Sequence, residues 1–364
     1  MTAENYITRD KTKSVSVGNS KIGGGAKVSI QSMTNTRTSD VFATVEQILQ
    51  LESFGCDIIR VAVPDVESAK ALADIKQKIH IPLVADIHFD YKLALEAIHN
   101  GADKIRINPG NITNIKEVAA CANAFKVPIR VGVNSGSVPN DIKASLGVTP
   151  HALVMSAKRY IKMLNDNDFD NIVVSLKSSN VIDTIASYRL ISQNIDYPLH
   201  LGVTEAGTTL SGSIKSAVGI GSLLADGIGD TFRVTLTADP VEEVKIAKEI
   251  LAACGLRDNY VEVIACPTCA RTSIDVIEIA NRISELTKDI HFPLTVAIMG
   301  CAVNGPGEAS HADIGVSGAG DVGDSNGFDG NGVLFKKGKV IKTIPQDQII
   351  SVLMEEINDI VNAG

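Results

Sequence analysis

Asp57-Ile58-Ile59-Arg60-Val61-Ala62-Val63, Lys104-Ile105-Arg106-Ile107-Asn108 and Pro128-Ile129-Arg130-Val131-Gly132-Val133 are three short apolar, largely β-branched runs, each with an arginine inside it. Runs of this length bounded by turn residues read as buried strands. Similar runs at residues 28–33, 82–87, 172–176, 198–203 and 231–236 bring the number to eight, with starts every 22 to 44 residues. Helical patterns lie between most of them, at residues 41–53, 66–79, 91–100, 115–125 and 181–195. Such alternation implies a parallel sheet with right-handed crossovers. Eight strand-helix units in about 240 residues match a closed (β/α)8 TIM barrel, an α/β fold, better than an open doubly wound sheet.

Outward from these runs, the gap at residues 134–170 holds a Gly/Ser/Pro-rich loop and then a helix at 151–165, introduced by Thr149-Pro150. After the eighth strand, Asp239-Pro240 opens a helix at 241–254 that Gly255 closes, so the barrel domain is expected over residues 1–255. From Tyr260 the pattern changes to a strand at 261–265, a Cys-Pro-Thr-Cys turn, a helix at 274–286 and a strand at 294–299. Strands near 314–316, 333–335 and 339–344 and a helix at 346–361 complete a smaller α+β domain over 260–364. The stretch from Gly318 to Gly332 reads as a surface hairpin loop and lacks calcium-loop spacing.

With 364 residues, 45% of them hydrophobic and 21% charged, the chain is long for one core and is expected to form two domains. No apolar stretch approaches the roughly 18–20 residues of a membrane span, and the polar start lacks a signal-peptide core, so a cytoplasmic protein is expected. Basic residues number 34 and acidic residues 42, a net charge of −8 that offers no global field for nucleic acid. Six cysteines in such a chain are more often buried, catalytic or metal-bound than disulfide-bonded.

Three of these cysteines form a pattern. Cys266 and Cys269 are separated by two residues, Cys301 follows at the end of a later strand, and Glu308 closes Cys301-Ala302-Val303-Asn304-Gly305-Pro306-Gly307-Glu308. A C-x-x-C turn presents two thiolates on one side, and a third cysteine completes a triangle. Three thiolates and a carboxylate describe either a zinc ion or a [4Fe–4S] cluster with one labile oxygen ligand. The proline after the first cysteine and the Gly-Pro-Gly after the third favour the cluster. Cys56, Cys121 and Cys254 lie in apolar segments and read as ordinary buried residues.

Cations recur at the strand ends: Arg60, Arg106, Arg130, Lys177 and Arg233. Enclosed charges are costly without a partner. Salt bridges to Asp86, Glu205 or other inward acids would suit one or two of them. Five suggest a multiply charged phosphate ester held at the mouth by guanidinium forks. Glu205 is the acid best placed there, Asn108 and Asn134 supply neutral donors, and His88 is either catalytic or a structural donor.

At this point the chain resembles the bacterial 4-hydroxy-3-methylbut-2-enyl diphosphate synthases, through Gln31-Ser32-Met33-Thr34-Asn35-Thr36, Arg106-Ile107-Asn108-Pro109-Gly110-Asn111, Arg130-Val131-Gly132-Val133-Asn134, Gly202-Val203-Thr204-Glu205-Ala206-Gly207 and both cysteine motifs. The resemblance covers almost the whole chain. It implies reductive opening of 2-C-methyl-D-erythritol 2,4-cyclodiphosphate, with a [4Fe–4S] cluster on Cys266, Cys269 and Cys301 and Glu308 on its unique iron. It implies a diphosphate cradle of the five cations, protonation of the departing hydroxyl by Glu205, and Asn304 beside the cluster-bound oxygen. It also implies flavodoxin or ferredoxin as electron donor. The extra domain of plant-type enzymes has no room here, and Gly318–Gly332 is longer than the usual turn.

A helix of some 14 residues after the eighth strand returns the chain about 20 Å to the bottom of the barrel. A homodimer is therefore expected, each cluster domain covering the partner's barrel, as the resemblance also implies. The rival readings are a pterin-dependent methyltransferase-like barrel, which has no need of the cysteines, and a zinc-stabilised non-catalytic scaffold or redox sensor.

Overall fold

The computed structural model describes residues 11–108, 110–302, 309–319 and 330–363. Two compact units are present, Met1–Leu256 and Arg257–Gly364.

The first unit begins with an antiparallel hairpin, β1 (Val15–Val17) and β2 (Ser20–Ile22). Eight parallel strands follow: β3 (Ser29–Met33), β4 (Ile58–Ala62), β5 (Leu83–Asp86), β6 (Lys104–Ile107), β7 (Ile129–Asn134), β8 (Ile172–Lys177), β9 (His200–Leu201) and β10 (Thr231–Phe232). Their order is β8-β7-β6-β5-β4-β3-β10-β9, and a parallel bridge from Val174 to Leu199 joins the two ends. This is the expected TIM barrel. The outward strand residues, among them Ile59, Val61, Ile105, Ile107, Val131 and Val174, are fully buried under the helices.

The helices are α1 (Val41–Ser53), α2 (Val66–Lys76), α3 (Tyr91–His99), α4 (Ile115–Phe125), α5 (Asn140–Leu146), α6 (Pro150–Asn165), α7 (Val181–Ser192), α8 (Thr209–Ala225) and α9 (Pro240–Ala253). Side chains of Asp40, Asp65, Asp90, Thr149, Asn180 and Asp239 cap six of them by accepting N–H groups of the first turn. Each cap stabilises its helix by about 1 kcal/mol. Helices α2 and α7 stop three residues short of expectation, since the chain must turn extended before Pro82 and Pro198.

Strand-leading aspartates repeat one device at the foot of the barrel. Asp57 accepts the N–H of Ile30, Asp103 that of Leu83, and Asp230 that of Leu199, each tying one strand to its neighbour's start. The hairpin seals the same end: Val15, Val17 and Ile22 pack on Ile58, Val84 and Val173. Strand β10 is shorter than residues 231–236 because its continuation turns to α9, Leu236 giving its N–H to the Glu243 carboxylate.

The second unit is a mixed sheet of β11 (Val261–Ala265), β12 (Leu294–Met299), β13 (Ile314–Gly318), β14 (Asn331–Lys336) and β15 (Lys339–Pro345). The first three strands are parallel and the last three antiparallel. Helices α10 (Val276–Thr287) and α11 (Ile349–Ala363) cover one face through Ile279, Ile283, Leu353 and Ile357. No helix of the described residues is long and apolar enough to cross a membrane.

Candidate active site

Period-two alternation gathers the cations. While Ile105 and Ile107 face the helices, Arg106 between them faces the interior, and β4 and β7 do the same with Arg60 and Arg130. Arg106 is the lateral partner of Asp86 on one side and of Arg130 on the other. Lys177 ends β8 opposite Asn134. Arg130 is 1% exposed, and Arg60, Arg106 and Lys177 are nearly as enclosed.

Glycines make room for these long side chains. A Cβ at position 132 would lie 2.6 Å from Arg106 Nε, and one at 202 would lie 2.5 Å from Lys177 Nζ. The glycines of the Arg130–Asn134 and Gly202–Gly207 motifs therefore vacate the space that the neighbouring cations occupy.

The expectation that acids could satisfy only one or two of the cations needs correction. Asp86 accepts a hydrogen bond from Arg106 Nη1 at 3.1 Å and lies 3.8 Å from Arg60 Nε. Arg233 makes a two-pronged pair with Glu243, both contacts at 3.0 Å, and Glu243 also accepts the hydroxyl of Ser32. Glu243, 3% exposed in the first turn of α9, is the partner that sequence reasoning missed. The thioether of Met33 bridges the two sides, accepting from Arg60 Nε at 3.1 Å and Arg233 Nη1 at 3.4 Å.

Among the described residues, no acid pairs directly with Arg130 or Lys177, although Asp86 still acts on Arg130 at longer range. Nε and Nη1 of Arg130 are buried without a partner among the described residues. Burial first, and then the surrounding guanidiniums, holds both groups well below their ordinary pKa range. Burial also pushes Arg60 down, to about 10, against the pull of Asp86. Burial would raise the Asp86 carboxyl, yet Arg60, His88, Arg106 and Arg130 outweigh it and keep Asp86 below the usual carboxylate range. A guanidinium does not lose its proton in a protein. The interior is thus a positive enclosure whose repulsion an entering anion relieves.

Around this enclosure, Asn108 Oδ1 accepts the N–H of Gly110, and the Asn134 side chain accepts that of Ser137, leaving each amide NH2 as a donor. His88 is about half exposed, with Nε2 3.4 Å from Arg106 Nη1 and 3.6 Å from Asp86. Glu205 is exposed on the loop after β9 in a left-handed backbone conformation, φ 52°. That conformation costs a non-glycine residue roughly 1 kcal/mol. A cavity of about 470 Å³ opens between Gly110, Asn111, Ser137, Asn140 and Tyr160, apart from the inward cations.

In the second unit, Cys266 follows β11 and Cys301 lies just beyond β12, its lateral neighbour. Gly300 donates its N–H to Cys266 Sγ at 3.1 Å and accepts the N–H of Ser273. A Cβ at Gly300 would lie 2.9 Å from the Thr272 side chain, so the two loops approach closely there. Cys269 is exposed, and the N–H and guanidinium of Arg271 hold its thiol below the ordinary range. Among the described residues no three His, Cys, Asp or Glu side chains are grouped closely enough to hold a metal ion. The donor chemistry nevertheless suits a thiophilic centre: three thiols on neighbouring strand-end loops, one receiving an amide hydrogen bond and one predisposed to ionise. Asn304, Glu308 and most of Gly318–Gly332 lie outside the described residues.

The family profile "GcpE TIM-barrel domain" matches residues 12–248, and "GcpE protein C-terminal domain" matches residues 262–359. The 4-hydroxy-3-methylbut-2-en-1-yl diphosphate synthase (flavodoxin) of Caldanaerobacter subterraneus subsp. tengcongensis is 54% identical over 97% of this chain and 98% of its own. The enzyme of the same name from Caldicellulosiruptor saccharolyticus is 54% identical over 95% and 98%, and that of Ruminiclostridium cellulolyticum 52% identical over 98% and 99%. Among solved structures, the dihydropteroate synthase of Yersinia pestis aligns with 66% of the chain and 98% of its own at 12% identity and a TM-score of 0.48, too little to bear on chemistry.

Proposed function

The chain belongs to the GcpE family, and on that footing we propose that it is a 4-hydroxy-3-methylbut-2-en-1-yl diphosphate synthase. It opens 2-C-methyl-D-erythritol 2,4-cyclodiphosphate reductively, in the methylerythritol phosphate pathway, with reduced flavodoxin as electron donor. Identity above 50% along nearly the whole length, with relatives that bear this name, favours this reading over a pterin-dependent barrel or a zinc-stabilised scaffold.

The observation that carries the substrate assignment is the enclosed positive interior, in which neither Arg130 nor Lys177 makes a hydrogen bond or ion pair with an acid among the described residues. Arg60, Arg106, Arg130, Lys177 and Arg233 grip the diphosphate, and the amides of Asn108 and Asn134 donate to its oxygens. Two-pronged guanidinium contacts fix the orientation of the phosphoryl groups. Glu205, at the mouth, delivers the proton with which the leaving hydroxyl departs as water. The ring C–O bond to phosphate breaks in the same overall two-electron reduction.

Cys266, Cys269 and Cys301 hold a [4Fe–4S] cluster, with Glu308 as its oxygen ligand and Asn304 beside it. When bound, such a cluster supplies electrons singly and an iron open to an oxygen ligand. The amide of Gly300 supports the Cys266 thiolate.

The active form is a homodimer in the cytoplasm, the cysteine-bearing unit of one chain serving the barrel of the other. What supports this is the course of α9, which runs from Glu243 near the mouth to Cys254, where its thiol meets Gly221 O near the end of α8. Turnover of the cyclic diphosphate to the linear allylic diphosphate by the anaerobically reconstituted protein with reduced flavodoxin tests the assignment. Zinc in place of iron, with no turnover, would contradict it.

A further inference from the structure

Lys104 stands on the inner face of the barrel below the cradle and has no role in gripping the ligand. Its side chain is fully enclosed, and Nζ has no hydrogen-bond partner among the described residues. Its lateral neighbour Val84 belongs to the apolar floor beneath, formed with Val15, Val17, Ile22, Ile58 and Val173. Arg106 follows two residues along the same face, about 7 Å further up the strand. Arg130 and Arg60 are the charges whose repulsion bears on it.

Among the described residues, no acid on the elements around Lys104 is free to pair with it. Asp86 on β5 serves Arg106 and Arg60, and Glu243 on α9 serves Arg233. The strand-leading acids are engaged at the foot: Asp57 with Ile30 N–H, Asp103 with Lys76 and Leu83 N–H, Asp170 with Lys13, and Asp230 with Leu199 N–H. The other inward titratable groups, His200 on β9 and Lys177 on β8, are basic themselves. An ammonium here would lack both water and a counter-charge, beside guanidiniums that keep their protons.

We propose that Lys104 is an uncharged amine in the empty barrel and takes up one proton from solvent when the diphosphate binds, adding a positive charge beneath the cradle without touching the ligand. This rests on the diphosphate reading of the cradle given above. The proton adds to the Nζ lone pair, and no bond to the ligand forms. Burial, followed by the repulsion of Arg130 and Arg60, holds the amine well below the usual lysine range. An anion seated on those same guanidiniums cancels the repulsive part. His200 is enclosed with neither ring nitrogen bonded among the described residues, but a neutral imidazole is ordinary near pH 7 and needs no such coupling. Lys177 stands at the strand end, within the cradle itself.

Calorimetric titration of the cyclic diphosphate into the cluster-loaded enzyme, anaerobically near pH 7.5 in buffers of different ionisation enthalpy, counts the protons taken up. Both phosphoryl groups of this ligand are fully ionised there, so any proton gained goes to the protein. Lys177, in the cradle and equally enclosed, gains a proton by the same argument, so the count is read as a difference between variants. Lys104→Met never carries the charge and Lys104→Arg always does, so both should bind with about one proton fewer taken up than the wild type. If neither variant folds, Lys177→Met decides: it should bind more weakly yet still take up about one proton, its affinity falling as pH rises above about 7. No uptake in the wild type, uptake unchanged in both Lys104 variants, or no uptake in Lys177→Met overturns the proposal. Failure of the wild type to bind the cyclic diphosphate overturns the diphosphate reading itself, and the proposal with it.

Discussion

Arg106 has two kinds of neighbour inside the barrel, an acid that holds it and guanidiniums that repel it. Asp86 fixes its Nη1, while Arg130 stands beside it across the strand pair. Arg106→Ala leaves Asp86 still near Arg60 and His88, so the barrel should fold. The loss falls on the ligand: affinity for the cyclic diphosphate should drop by about 3 kcal/mol, roughly a hundredfold. Equilibrium binding checks this, and unchanged affinity would remove Arg106 from the cradle. Glu205 differs in kind, being exposed and outside the cation network. If it supplies a proton, Glu205→Gln should lower kcat at least a hundredfold with little change in KM. A near-normal kcat would end its acid role.

At the scale of the element, each inward cation depends on what the neighbouring strand leaves empty. Gly132 on β7 is the clearest case, because a methyl there would meet Arg106 Nε at 2.6 Å. Gly132→Ala should therefore lower ligand affinity nearly as much as Arg106→Ala while shifting the thermal midpoint by only a few degrees. Full affinity in a folded variant would show that the glycine is dispensable. The strand alternation and the inward arginines were legible in the sequence, since a lone charge in an apolar β-branched run has only one face to take. Glu243 was not, because in Asp239-Pro240-Val241-Glu242-Glu243 it looks like the solvated face of a first turn. Only the return of α9 against the end of β10 buries it on Arg233. Helix α8 was also obscure: its glycines and serines weaken a helical pattern, yet Gly212 and Gly219 let it press onto Leu236 and Val203. The three-residue strands of the floor hairpin are too short to announce themselves by period.

For the whole molecule, one compact unit carries the enclosed cations and the other carries the thiols. If each chain's thiols serve the other chain's barrel, two impaired proteins can repair one another when substrate is kept well below the KM of the Arg106→Ala chain. Mixing Cys301→Ser with Arg106→Ala and allowing subunits to exchange should restore about a quarter of the wild-type rate, since half the dimers then contain one intact site of two. Restoration to nothing, in a mixture verified to have exchanged, would place each site within one chain. The claim on which all of this depends is that one cluster and one cyclic diphosphate meet in a single site. Anaerobic reconstitution with iron and sulfide, followed by spectroscopy of the cluster with and without the cyclic diphosphate, tests it directly. The expected result is one [4Fe–4S] cluster per chain whose spectrum changes at a single iron when the ligand is added. A protein that binds zinc but no iron, or a cluster whose spectrum ignores saturating ligand, would contradict it.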